Sequence, residues 1–134
     1  MTDIAGLHPT LVFRVQKVLN AMTALGFPMR IVQGRRTTVE QAVLYTQGRT
    51  TPGAIVTKAD GILVRSNHQA SPVDGLGHAV DCGFAGLDPF GETQPWAAYG
   101  ACCEAVGLVW GGGTKHGWHG QDRPHVQLPD YVSS

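Results

Sequence analysis

Three histidines and two aspartates stand in three short segments that are far apart in the chain: Ser66-Asn-His68, Gly77-His-Ala-Val-Asp81 and Asp122-Arg-Pro-His125. Imidazole and carboxylate together suit a catalytic zinc ion, which takes three protein ligands and leaves its fourth position for water. His68, Asp81 and His125 are the ligand candidates, and Asp122 is left over as a base for that water. Asp81 interrupts an apolar stretch, with Ala79-Val80 before it and Cys82 after it. A buried, unpaired carboxylate is costly, and a bound cation removes the cost. A salt bridge is the structural alternative. His78 is a rival ligand, but on a strand residues three apart point to opposite faces, so one ion could not easily reach both His78 and Asp81. His78 is therefore read as lining the cleft.

Arg36 stands at the end of a candidate strand, where a guanidinium can stabilise charge on a tetrahedral intermediate. Ser66 is a candidate to hydrogen-bond substrate or orient its loop, and Trp118 to form a cleft wall. His116 and His119 are spaced as H-x-x-H but lack a convincing further ligand, so they are read as rim residues. There is no H-E-x-x-H, so the common helix-borne zinc protease motif is absent.

These groups must be positioned by a small scaffold. The chain has 134 residues, enough for one domain with a single core, and 43% hydrophobic against 15% charged residues favours a globule. Ten basic residues balance ten acidic ones, which disfavours nucleic acid and electrostatic membrane binding. His8-Pro9 opens a helical pattern in Leu11, Val12, Val15, Val18, Leu19, Met22 and Leu25, which Gly26 stops. Residues 29–33 read as a strand. Thr37-Thr-Val-Glu40 matches a capping box for a second helix ending near Gly48. Residues 49–77 read as a long irregular segment with one short strand around Ile55-Val56. Residues 79–84 read as a strand, 95–106 as a third helix closed by Gly107, and 108–110 and 125–128 as the last strands. Helices and strands do not alternate regularly, so the expected fold is a single α+β domain with a small, mostly antiparallel sheet and about three helices.

Cys82, Cys102 and Cys103 form no C-x-x-C pair and are expected as reduced, buried thiols. Met1-Thr-Asp-Ile-Ala-Gly6 lacks the features of a signal peptide, and no run approaches a membrane span. A protein made in the cytoplasm is expected, without membrane insertion, and as a monomer.

In order, Leu7-His-Pro9, Gln33-Gly-Arg-Arg-Thr37, Glu40-Gln41, Leu44-Tyr45, Gln47-Gly-Arg-Thr50, Pro52-Gly53, Ile55-Val-Thr57, Ser66-Asn-His68, Gly77-His-Ala-Val-Asp81, Trp110-Gly-Gly112 and Asp122-Arg-Pro-His125 resemble the VanY-like zinc peptidases. That group includes D-Ala-D-Ala carboxypeptidases and phage L-alanyl-D-glutamate endopeptidases, and the phage endolysin branch is the nearer. The resemblance implies a hedgehog/DD-peptidase-like fold, zinc on His68, Asp81 and His125, Asp122 as general base, and Arg36 on the substrate carbonyl or carboxylate. It implies hydrolysis of the peptidoglycan stem peptide, at the L-Ala–D-Glu bond, and the lack of signal-peptide features points to a phage or prophage enzyme of cell-wall lysis, released by a holin. The whole chain would be the catalytic domain, with no separate wall-binding domain. The segment from Gln69 to Leu76 looks like an insertion, because the family's histidine and aspartate usually sit closer together, and the segment from Gly113 to Gln121 is also unusual. Both bear on substrate choice. Removal of a terminal D-Ala by the same site, and a non-catalytic wall-binding module stabilised by metal, are the alternatives. The second is disfavoured because a purely structural zinc wants four protein ligands.

Overall fold

A computed structural model describes residues 4–36, 42–43, 46, 49, 68–69, 75–115 and 118–129. Helix α1 (Pro9–Ala24) begins where the periodic apolar residues begin. Proline tolerates the first helical turn because its missing N–H would have no helical partner there. The His8 side chain accepts the Thr10 backbone N–H at 3.1 Å and so caps the end. Leu11, Val15, Val18 and Met22 recur on one face and are buried. The helix stops at Leu25, after which Gly26 takes a positive φ of 91° and lets Phe27 N–H return to the Met22 carbonyl at 2.8 Å.

Strand β1 (Met29–Gln33) follows, then β2 (Ala79–Phe84), helix α2 (Trp96–Ala105), β3 (Val109–Trp110) and β4 (His125–Gln127). The four strands form one sheet in the order β1-β2-β4-β3, and every neighbouring pair is antiparallel. The α+β reading and the antiparallel sheet are borne out. Two helices are described in full. Of the expected second helix, Ala42, Val43 and Thr46 have helical geometry, while its capping box lies outside the described residues, as does the strand expected at Ile55-Val56. Among the described residues, no helix is long and apolar enough to cross a membrane.

The core lies between one face of the sheet and the two helices. Val80, Cys82 and Phe84 of β2 and Val126 of β4 meet Leu11, Val15, Val18 and Met22 of α1 and Trp96, Tyr99 and Cys103 of α2. Alternation along a strand sends the residues between them to the other face. On β2 that puts Asp81 opposite the core, and on β4 it puts His125 and Gln127 there. Cys82 and Cys103 are buried free thiols, as expected, and burial pushes the Cys82 thiol up to about 12. Cys102 departs from the expectation: it lies on the flank of α2 and is only partly buried.

Helix α2 and its neighbours anchor the turn that leads into β4. The Tyr99 hydroxyl donates to the Pro124 carbonyl at 3.0 Å, the Trp110 indole N–H to the Arg123 carbonyl at 2.7 Å, and the Arg123 guanidinium sits 5.7 Å from the Trp96 ring centre. The Cys82 N–H adds a second bond to the same Pro124 carbonyl at 3.0 Å. A side chain at Gly111 would collide with the Asp122 carbonyl, so this close approach requires glycine. Tyr99→Phe removes one of the two donors to Pro124 and leaves the ring in place. The expected loss is about 0.5–1.5 kcal/mol of stability, read as a lower urea midpoint with an unchanged slope.

Candidate metal centre

The register of the sheet brings the first two groups together. Asp81 and His125 are direct partners across the β2–β4 ladder, and opposed residues on one face hold their Cβ atoms about 4.5–5.5 Å apart. His68 arrives from outside the sheet and is tied to the end of β1. Its carbonyl accepts the Arg36 N–H at 2.6 Å, Arg36 and Gln69 form an isolated parallel bridge, and its Nδ1 lies 3.0 Å from the Gly34 carbonyl. Because Gln33 is the partner of Asp81 in the β1–β2 ladder, the end of β1 places His68 beside the carboxylate.

Three ligand atoms then converge. His68 Nε2 lies 3.3 Å from Asp81 Oδ1, His125 Nδ1 lies 3.4 Å from the same oxygen, and the two nitrogens are 3.3 Å apart. These are the only three such residues that could hold a metal ion together among those described. Tetrahedral ligands at about 2.0–2.1 Å from zinc stand about 3.3–3.4 Å from one another, so the triangle has the right size.

Proton positions also fit a cation. A carbonyl oxygen only accepts, so His68 Nδ1 must donate to Gly34, which leaves Nε2 with its lone pair facing inward. Asp81 Oδ1 is buried and has no well-formed hydrogen bond, with both ring nitrogens 3.3–3.4 Å from it. Lone pairs on neighbouring atoms repel unless a proton or a cation sits among them, and two imidazoles with one carboxylate form a donor set that zinc prefers.

The two carboxylates are tuned apart. Burial works against ionisation of Asp81, but without a cation a proton shared with His125 or His68 overcomes it and holds this carboxyl well below the usual range. Asp122 lies beside the group, with Oδ2 3.8 Å from His125 Nδ1. Burial, and then the negative charge of Asp81, push its carboxyl up to about 6, against the opposing pull of His125 and Arg36. Burial depresses the His68 pKa. Burial also acts to depress that of His125, but Asp81 reverses the effect and raises it.

The remaining candidates are distributed as follows. Arg36 is half-buried, and its charge acts on both Asp122 and His68. Trp118 leans on His125, with ring centres 4.9 Å apart and planes at 38°. His78 is not in the three-ligand group. It is buried with its ring edge-on to His8 at 5.1 Å, and its carbonyl accepts the Leu128 N–H. It precedes β2 rather than lying in it. Ser66 and His116 lie outside the described residues, as do residues 70–74 of the segment read as an insertion.

One residue was missed by sequence reasoning. The Gln127 side-chain oxygen lies 2.7 Å from His125 Nε2, on the outer edge of the ring. The signal was available, because residues two apart on a strand share a face and His125-Val-Gln127 was read as strand.

No protein-family model matches the chain. Its structure resembles that of the L-Ala D-Glu endopeptidase ChiX of Serratia marcescens, with 21% identity over 94% of this chain and 83% of that one and a TM-score of 0.53. It also resembles the LdcB LD-carboxypeptidase, with 22% identity over 96% of this chain and 67% of that one and a TM-score of 0.65. The small antiparallel sheet with its packed helices is thus a fold this chain shares with an L-Ala D-Glu endopeptidase and an LD-carboxypeptidase.

Proposed function

We propose that this protein is a zinc-dependent peptidoglycan peptidase that cuts the stem peptide at the L-Ala–D-Glu bond and serves in cell-wall lysis as a phage-type endolysin. The observation that carries the reading is the triangle of His68 Nε2, Asp81 Oδ1 and His125 Nδ1 with edges of 3.3–3.4 Å. The fold shared with a ChiX endopeptidase and an LdcB carboxypeptidase supports the substrate class. The endopeptidase chain is the more fully covered of the two, 83% of its length against 67%, which supports cutting within the stem. The higher TM-score of the carboxypeptidase, 0.65 against 0.53, keeps removal of a terminal residue as the second reading.

His68, Asp81 and His125 would hold the ion, which when bound acidifies a water and polarises the scissile carbonyl. Asp122 takes the proton of the attacking water at its carboxylate and passes it to the nitrogen of the departing amine. A carboxyl raised to about 6 is well suited to both halves of that exchange near neutral pH. The Arg36 guanidinium offsets negative charge gathering on the carbonyl oxygen. Trp118, leaning on His125, gives the substrate an apolar wall. Ser66 and His78 are assigned to substrate contact on their sequence context.

Purified protein should carry about one zinc per chain by elemental analysis, and a chelator should remove activity that added zinc restores. His68→Ala should lose that zinc. Asp122→Asn should keep the metal and lower kcat at least about 100-fold; near-normal turnover would rule out Asp122 as the base. Because the base acts ionised, wild-type activity should fall as the pH drops through about 6, or lower still if a bound cation favours the carboxylate. Mass spectrometry of fragments released from purified peptidoglycan distinguishes the two bonds. Glycan strands that keep only L-Ala, together with free peptides that begin with a D-Glu amino terminus, support the endopeptidase, and release of a single terminal residue supports the carboxypeptidase.

A further inference from the structure

We propose that Gln127 is a positioning residue of this centre: its side-chain oxygen holds His125 in the tautomer that presents Nδ1 to the cation. The proposal rests on the metal-centre reading above. A neutral imidazole has one N–H, and the atom facing Nε2 decides where that proton resides. At 2.7 Å, the Gln127 oxygen accepts from Nε2, which leaves the Nδ1 lone pair directed at the shared point. The competing arrangement is close by. Asp81 Oδ1 is 3.4 Å from Nδ1 and can draw the proton to the inner nitrogen, where it would block coordination. Gln127 supplies the outer acceptor that opposes this transfer.

His68 has the same need and meets it differently. Its outer nitrogen donates to a backbone carbonyl, that of Gly34, so its tautomer follows from the path of the chain. For His125 the acceptor is a side chain and can be replaced. The β4 strand sets the geometry, because His125 and Gln127 lie on the same face and Gln127 is held by pairing with Ala79 and Val109 on either side. Outer partners of metal-bound histidines commonly contribute about 10–100-fold in metal affinity.

The test compares metal-free wild type with Gln127→Met and Gln127→Glu. Zinc(II) affinity is measured by competition with a chromophoric chelator at one neutral pH, and the melting temperature of each metal-free protein is recorded. Methionine fills the space without an acceptor, and affinity should fall about 10–100-fold with little change in melting temperature. Glutamate offers only acceptors and should bind zinc at least as tightly as wild type. Equal affinity in wild type and Gln127→Met overturns the assignment and leaves the centre intact. A Gln127→Glu protein that binds as weakly as the Met variant overturns it as well. If Gln127→Met melts markedly lower without metal, the Glu variant decides alone. Wild type that binds no zinc is a different result, which removes the centre and this role with it.

Discussion

Two imidazole nitrogens and one carboxylate oxygen are held within 3.4 Å of each other on the face of the sheet turned away from the core, and most of the architecture can be understood from what that requires. Such atoms repel when their lone pairs face one another. The fold keeps them together by covering Asp81, by pairing it opposite His125 across the β2–β4 ladder, and by occupying the outer nitrogen of each ring. Gly34 does so for His68 and Gln127 for His125. A cation among the three atoms turns that repulsion into binding, which is why the arrangement is read as a metal centre rather than as an ion pair.

The scaffold treats the two aspartates differently although they lie within one small region. Asp81 belongs to a strand and faces two histidines, and its carboxyl lies well below the usual range. Asp122 belongs to a turn fastened from behind by Tyr99, Trp110 and the Arg123–Trp96 contact. It shares the neighbourhood with the negative Asp81, and its carboxyl rises to about 6. Two identical side chains thus acquire opposite shifts in proton affinity from their surroundings alone. The aromatic anchors explain how a turn rich in glycine and proline can hold a carboxylate steadily beside the centre.

The likeness to two peptidoglycan peptidases is a likeness of scaffold, at 21% and 22% identity. A shared scaffold does not by itself select a bond, because the groups that contact substrate come from loops around the sheet. Here Arg36 and His68 come from the connection between β1 and β2, and Trp118 and Asp122 from that between β3 and β4. In the proposed peptidase, bond choice would rest on such segments, whereas the triangle of candidate ligands depends mainly on the sheet.

Much was legible before any coordinates. The helix from Pro9, the strand at Ala79–Phe84, the helix before Gly107 and the final strand all follow from apolar periodicity with proline and glycine at the boundaries, because these signals act within a few residues. An aspartate inside an apolar strand and histidines in polar motifs are likewise visible as residue types, so the ligand candidates could be named. Other features depended on distant partners. Register alone decides that Asp81 faces His125, 44 positions later, and a backbone carbonyl at Gly34 decides which nitrogen of His68 points inward. The inner arrangement of protons, the raised carboxyl of Asp122 and the role of Gln127 arise from distances between segments, and no local pattern encodes a distance until the chain has folded.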